Sequence, residues 1–132
     1  MSLHYLDTSA ALKLLAKEDH SAAFAAYYDN TDSSWVSSTL LRIEVTRTVA
    51  RVMPAALADA RDLLSAFDYV AIDDEMVEAA MAEPDRMLRS LDAIHLATAR
   101  LLGEDLTALV TYDDRLSKAA SDAGLTVLTP TD

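Results

Sequence analysis

The stretch Ser90-Leu91-Asp92-Ala93-Ile94-His95-Leu96-Ala97-Thr98-Ala99-Arg100-Leu101-Leu102-Gly103, followed shortly by Ala108-Leu109-Val110-Thr111-Tyr112-Asp113-Asp114, decides how this chain folds. Leu91, Ala93, Ile94, Leu96, Ala97, Ala99, Leu101 and Leu102 put apolar side chains nearly all round one helix, which must therefore be largely buried. Gly103 ends it, at a position where a left-handed cap favours glycine. Ala108 to Thr111 is then a short apolar run of strand length. Helices alternating with such short apolar strands build a parallel sheet covered on both faces.

The same unit recurs outward in both directions. Leu3 to Leu6 reads as a strand, and a helix follows from about Ser9 to Lys17. Asp19 is expected to cap a second helix running to about Asp29, on which Phe24, Tyr27 and Tyr28 read as packing residues. Trp35 to Ser37 is a strand entering a long helix, Thr39 to Val52, with an apolar stripe at Leu41, Val45, Val49 and Val52. Pro54 suits the first turn of a further helix that turns Leu57, Ala60, Leu63, Leu64 and Phe67 to one side. Tyr69 to Ile72 reads as a strand, and Asp74 to about Ala82 as a helix stopping before Pro84. Ser90 is the expected cap of the buried helix. After it come the helix Asp113 to Asp122 and a last strand, Thr126 to Leu128. The expectation is an α/β fold with a central parallel sheet of about five strands, whose ligands bind beyond the carboxyl ends of the strands.

A length of 132 residues fits a single domain, residues 1–132, and buries enough surface to need no covalent staples. There are no cysteines, which excludes disulfides and thiolate metal sites and agrees with a cytoplasmic location. Asp7 comes too early for the apolar core of a signal peptide, and no later run approaches the length of a membrane span, so no membrane association is expected. With two glycines, Gly103 and Gly124, phosphate loops and dinucleotide fingerprints are out of reach. The net charge of −11, from 22 acidic and 11 basic residues, runs against a generic basic footprint for nucleic acid and favours a cationic partner, a metal ion or a basic peptide.

Four acids carry the chemistry. Asp7 follows the first strand and Asp113 the fourth, so both belong at the carboxyl edge of the sheet; each also has the ordinary reading of a helix cap. Asp92 lies in the first turn of a buried helix, where a carboxylate needs a partner; the helix dipole alone offers only about 0.3–1 kcal/mol. Glu44 sits at the edge of the stripe of the long helix, and taken alone it reads as a surface partner of Arg47. Brought together by a parallel sheet, the four would repel one another unless a cation lay among them. An all-oxygen donor set suits hard ions such as Mg²⁺ or Mn²⁺. Such ions serve phosphodiester hydrolysis by easing hydroxide formation and balancing charge on a phosphoryl oxygen.

Four segments, taken in order, carry a family resemblance: Tyr5-Leu6-Asp7-Thr8-Ser9-Ala10-Ala11-Leu12-Lys13; Ser38-Thr39-Leu40-Leu41-Arg42-Ile43-Glu44-Val45; Leu88-Arg89-Ser90-Leu91-Asp92-Ala93-Ile94-His95-Leu96-Ala97; and Leu109-Val110-Thr111-Tyr112-Asp113-Asp114-Arg115-Leu116. Across essentially the whole chain the pattern resembles the PIN-domain family, especially VapC-type toxins of bacterial toxin–antitoxin pairs. The resemblance implies a three-layer α/β/α fold and a Mg²⁺- or Mn²⁺-dependent endoribonuclease acting on structured cellular RNA. It also implies a VapB-like antitoxin as partner and a homodimer. It matches Asp7, Glu44, Asp92 and Asp113 to the catalytic and metal-holding acids. Thr8, Ser9, Thr111 and His95 become supporting groups, and the doubled Asp113-Asp114 leaves two candidates for the last acid. Arg42, Arg89, Arg115 and Lys13, with Arg47, lie near the motifs and are the expected contacts to RNA phosphates; ordinary salt bridges are the alternative. An idle scaffold of the same fold is the rival reading. A receiver domain is disfavoured because Thr129, not lysine, precedes Pro130, and an Asp-x-Asp phosphatase because Ser9 stands where the second aspartate belongs.

Overall fold

The computed structural model describes residues 2–132. Along them run β1 (Ser2–Leu6), α1 (Thr8–Lys13), α2 (Ser21–Asn30), β2 (Ser33–Ser38), α3 (Leu40–Val52), α4 (Leu57–Leu64), β3 (Asp68–Val70), α5 (Asp74–Met81), α6 (Ser90–Leu102), β4 (Ala108–Val110), α7 (Asp114–Asp122) and β5 (Val127–Leu128). The strands form one sheet in the order β3-β2-β1-β4-β5, with every pairing parallel. β1 is central: Tyr5 registers with Val36 on one side and Leu109 on the other. From β1 the chain winds outward through β2 to β3, then returns to the other flank of β1 for β4 and β5. The winding therefore reverses between β1 and β4, the kind of crevice where open α/β sheets place their ligands.

Side-chain alternation along the strands fills two cores. Leu6, Trp35 and Val110 point into one with Phe24, Leu41, Val45, Val49, Leu64 and Phe67, beneath α1 to α4. Tyr5, Val36 and Leu109 point into the other with Leu88, Leu96, Ala99, Leu116 and Ala120, beneath α6 and α7. The result is the expected three-layer α/β/α arrangement.

The elements follow the sequence reading, with shifts at their ends. α1 stops at Lys13 because Leu14 and Leu15 turn their N–H groups to the carbonyls three residues back and tighten the helix out of register. Asp19 does not cap α2. The preceding residue is His20, in a left-handed backbone (φ 67°), and the cap comes from Asp132, whose carboxylate accepts from the N–H groups of His20 and Ala23, both at 3.2 Å. Pro54–Ala56 forms a 3₁₀ turn leading into α4. β3 lies one residue earlier than expected at its start and ends at Val70, leaving Ile72 37% exposed beyond it. Ser90 is the first residue of α6 rather than its cap; Arg89, in extended backbone, precedes it. Gly103 and Gly124 both adopt positive φ, 56° and 86°, as their positions after helices require. No helix among the described residues is long and apolar enough to cross a membrane.

Candidate active site

Asp7 leaves the end of β1 directly into α1, and it is 3% exposed. Its Oδ1 accepts from the Ala10 N–H at 3.0 Å and from Ser9 Oγ at 2.7 Å; its Oδ2 accepts from Thr111 Oγ1 at 2.7 Å. The helix-cap reading and the site reading are thus both true of one residue. Burial pushes this carboxyl above its usual range, while His95 nearby and the bonds from Thr111, Ser9 and Ala10 oppose the shift. Thr111 and Ser9 do more than hold Asp7. The Asp113 N–H donates to Thr111 Oγ1 at 3.0 Å, and the Tyr112 N–H donates to Ser9 Oγ at 2.8 Å. The two hydroxyls tie the end of β1 to the end of β4 across the switch point.

Asp113 caps α7 through Oδ1, which accepts from the Leu116 N–H at 2.9 Å; no protein group bonds its other oxygen among the described residues. Asp114 is exposed, in the first turn of α7. Asp92, in the first turn of α6, accepts no hydrogen bond from the described residues. Its carboxyl is raised first by burial, then by Asp113 and, more weakly, by Asp7 and Glu44, with His95 pulling the other way. Four acids separated by up to 106 positions in sequence therefore share one electrostatic field, and within it the neighbour from the Asp113-Asp114 pair is Asp113. Asp73 is an instructive contrast. It caps α5 in the same manner after edge strand β3, yet takes no part in this field.

Glu44 reaches the cluster from α3, on the opposite layer from α6. Its partner is not Arg47. Oε1 accepts from Thr8 Oγ1 at 2.7 Å and lies 2.9 Å from His95 Nε2. Burial would raise this carboxyl, but the bonds from His95 and Thr8 outweigh it and hold it below the usual range. Both partners use Oε1, so Oε2 is left without a protein bond among the described residues.

The donor set fits a hard divalent ion. The oxygens not already bonded within the protein belong to Asp92, Asp113 and Glu44, beside the buried carboxylate of Asp7. Among the described residues no three His, Cys, Asp or Glu side chains are drawn together as closely as ion ligands are. A divalent cation among these carboxylates would offset their mutual repulsion.

The expected cationic rim is divided. Lys13 pairs with Glu18 at 3.5 Å and lies over the Tyr112 ring, 5.1 Å from its centre. Arg42 lies over the Tyr69 ring at 5.6 Å. With Arg47, Arg61, Ile43 and Leu57 it lines a groove of about 870 Å³ between α3 and α4, whose lining includes neither Glu44 nor its partners Thr8 and His95. Arg89 and Arg115, close in sequence to Asp92 and Asp113, are exposed and form no ion pair among the described residues. Sequence reasoning missed Tyr5, which is fully buried with its hydroxyl 2.6 Å from His95 Nδ1. The signal was present: a tyrosine in the centre of a buried strand needs a partner for its O–H.

The PIN domain family model matches residues 4–122, a span that begins before Asp7 and ends after Asp113. The chain belongs to the PIN-domain family. Within it, this PIN domain is similar to Ribonuclease VapC35 of Mycobacterium tuberculosis, 43% identical over 129 residues and 96% of each chain. Two solved structures share the fold. The Mycobacterium tuberculosis VapC20 structure, described as a Sarcin-Ricin loop cleaving toxin, superposes with a TM-score of 0.76 at 18% identity, over 96% of this chain and 99% of the other. A toxin–antitoxin complex from Klebsiella pneumoniae superposes with a TM-score of 0.71 at 22% identity, over 100% and 99%. The PIN domain described here is thus a VapC-type chain along almost all its length.

Proposed function

We propose that this PIN domain is an endoribonuclease toxin of a toxin–antitoxin pair, hydrolysing RNA with a divalent ion held by Asp7, Glu44, Asp92 and Asp113. What supports the reading is that Asp7 and Asp113 stand at the ends of β1 and β4, on either side of the switch point, and that Asp92, raised first by burial, is raised further by Asp113, Asp7 and Glu44. A bound Mg²⁺ or Mn²⁺ would supply Lewis-acid charge to a phosphoryl oxygen and ease deprotonation of the attacking water.

The chain's own residues supply position. Thr111, Ser9 and the Ala10 N–H fix Asp7, and Thr8 and His95 fix Glu44, so neither carboxylate has to be ordered when RNA arrives. Glu44, ionised and anchored by one oxygen, keeps the other available to accept a proton or orient water. Arg89 and Arg115, close in sequence to Asp92 and Asp113, are the free cations best placed to meet phosphates. With so few, cleavage is expected to weaken only gradually as salt is raised. The partner is a VapB-like antitoxin, in keeping with the toxin–antitoxin pairing that the Klebsiella pneumoniae structure's description names. The groove between α3 and α4, apolar at Ile43 and Leu57 and rimmed by three arginines, offers it a surface on an otherwise acidic chain.

The test is cleavage of total RNA during a Mn²⁺ titration. Wild-type protein should cut in a Mn²⁺-dependent manner, and Asp92→Ala protein should fold but not cut. Equal cleavage by the two, or cleavage by wild type in excess chelator, would refute the assignment.

A further inference from the structure

Glu44 is held at the end of a chain of hydrogen bonds that starts at the buried Tyr5. The Tyr5 ring is 0% exposed, on the α6 side of β1, and His95 is 1% exposed. The Tyr5 hydroxyl is 2.6 Å from His95 Nδ1, and the Ser38 N–H donates to the same hydroxyl oxygen at 3.2 Å. His95 Nε2 is 2.9 Å from Glu44 Oε1, to which Thr8 Oγ1 also donates at 2.7 Å. One line of contacts thus joins β1, α6, α3 and α1 at the sheet edge, fully buried between Tyr5 and His95 and partly buried where it reaches Glu44.

Proton positions follow from the donor and acceptor inventory. An ionised Glu44 only accepts, so Nε2 must carry a hydrogen. In the neutral imidazole Nδ1 is then bare and takes the Tyr5 O–H as its donor; in the imidazolium Nδ1 would donate to Tyr5 instead, and the ring ¹⁵N measurement separates the two. The other tautomer would set the Nε2 lone pair against a carboxylate oxygen at 2.9 Å. We propose that Tyr5 is a positioning residue for the ribonuclease site: its hydroxyl proton fixes His95 as an Nε2–H donor, and His95 with Thr8 anchors Glu44 by Oε1 so that Oε2 stays free for the ion. This rests on the reading of Glu44 as part of the metal-holding cluster. It adds to that reading a residue two positions before Asp7 that touches neither ion nor RNA.

The first measurement is made on metal-free protein, by ¹⁵N NMR of the His95 ring. Wild type should show one tautomer, with hydrogen on Nε2 and Nδ1 accepting a bond. Tyr5→Phe, which keeps the ring and removes the proton, should lose the bonded signature at Nδ1. The second is Mn²⁺ affinity by calorimetry. Removing an outer partner of a ligand typically weakens metal binding about 10- to 100-fold. Tyr5 acts one step further out, so about a tenfold loss is expected, at the low end of that range. His95→Gln offers an amide N–H at the reach of Nε2 and no group in the place of Nδ1. In that background Tyr5→Phe should change Mn²⁺ affinity less than twofold, whereas a role confined to packing would cost the same in both backgrounds. Hydrogen on Nδ1 in wild type overturns the proposal, and it does so even if Tyr5→Phe fails to fold. So does unchanged Mn²⁺ affinity in folded Tyr5→Phe, or an equal loss in the His95→Gln background. A wild type that takes up no Mn²⁺ sinks the metal reading instead, and the tautomer measurement still decides this one.

Discussion

Replacing Asp92 by asparagine should shift stability only slightly in chelator and forfeit most of the stabilisation that metal supplies. In chelator, Asp92 is raised first by burial and then feels three like-charged neighbours, Asp113, Asp7 and Glu44, against one opposing group, His95; among the described residues no hydrogen bond compensates it. Each partly exposed charge–charge contact is worth roughly 0.2–1 kcal/mol. Because Asp92 is only half-buried, solvent screening discounts the total, and the three together reach about 0.5–1.5 kcal/mol. Asparagine removes that repulsion and also forfeits the carboxylate's attraction to the N-terminus of α6, about 0.3–1 kcal/mol. The midpoints of the two ranges favour the variant, so Asp92→Asn in chelator should lie between about 0.5 kcal/mol less and about 1 kcal/mol more stable than wild type, a shift in Tm of at most about 4 °C for a chain of this size. In Mn²⁺ at 100 times its Kd the wild type gains about 2.7 kcal/mol by mass action, and the variant, lacking a ligand, gains little. The assay is thermal melting of both proteins in EDTA and in excess Mn²⁺. A variant more than 1 kcal/mol less stable than wild type in EDTA, or one raised by Mn²⁺ as much as wild type, would refute the reasoning.

Three further outcomes are expected. Thr111→Val leaves Asp7 Oδ2 and the Asp113 N–H without their shared hydroxyl and should cost about 1–3 kcal/mol in urea melts, with Thr111→Ser restoring most of it. Asp113→Asn should abolish Mn²⁺ uptake in calorimetry while Asp114→Asn changes it less than twofold, since Asp113 is the member of that pair that Asp92 feels. Asp7 and Asp92 are raised in the fold, so the folded protein holds protons that the unfolded chain has released. In chelator their contribution is greatest below about pH 4, the unfolded aspartate range, and declines as pH rises through their folded values. Glu44 is lowered and works in the opposite direction, its contribution being lost as pH falls through its folded value. Urea melts across a pH series should show the decline toward neutrality in EDTA and its removal by Mn²⁺; stability that climbs steadily to pH 7 in EDTA would contradict it.

Much of the architecture is written locally. The apolar run from Leu91 to Leu102 and the short strand Ala108 to Val110 lie where their side-chain patterns place them, because helix and strand formation answer to neighbours within a few residues. The capping roles of Asp7 and Asp113 are equally local, each carboxylate accepting from an N–H three residues ahead. The four acids could be singled out from the sequence for different reasons: Asp7 and Asp113 follow β1 and β4, and Glu44 lies in the helix after β2, whereas Asp92, in α6 behind α5, stood out only as a carboxylate in an apolar helix.

What the sequence could not decide is which side chains meet. Glu44 has Arg47 three residues away, yet it bonds Thr8 and His95, 36 and 51 positions distant. α2 is capped not by Asp19 beside it but by Asp132, 112 positions from His20. Arg42, two residues back, is turned about 160° from Glu44 around α3, while Arg47 lies within about 60° of it and still lines the groove with Arg42, because Thr8 and His95 already hold Glu44. Tyr5 reads as a core residue until α6 brings His95 over its hydroxyl. Local preference fixes backbone shape through short-range sterics and hydrogen bonds. The partner of a buried polar group is set by strand order and layer packing, which bring distant segments to within about 3 Å and exclude the water that would otherwise serve any of them equally well.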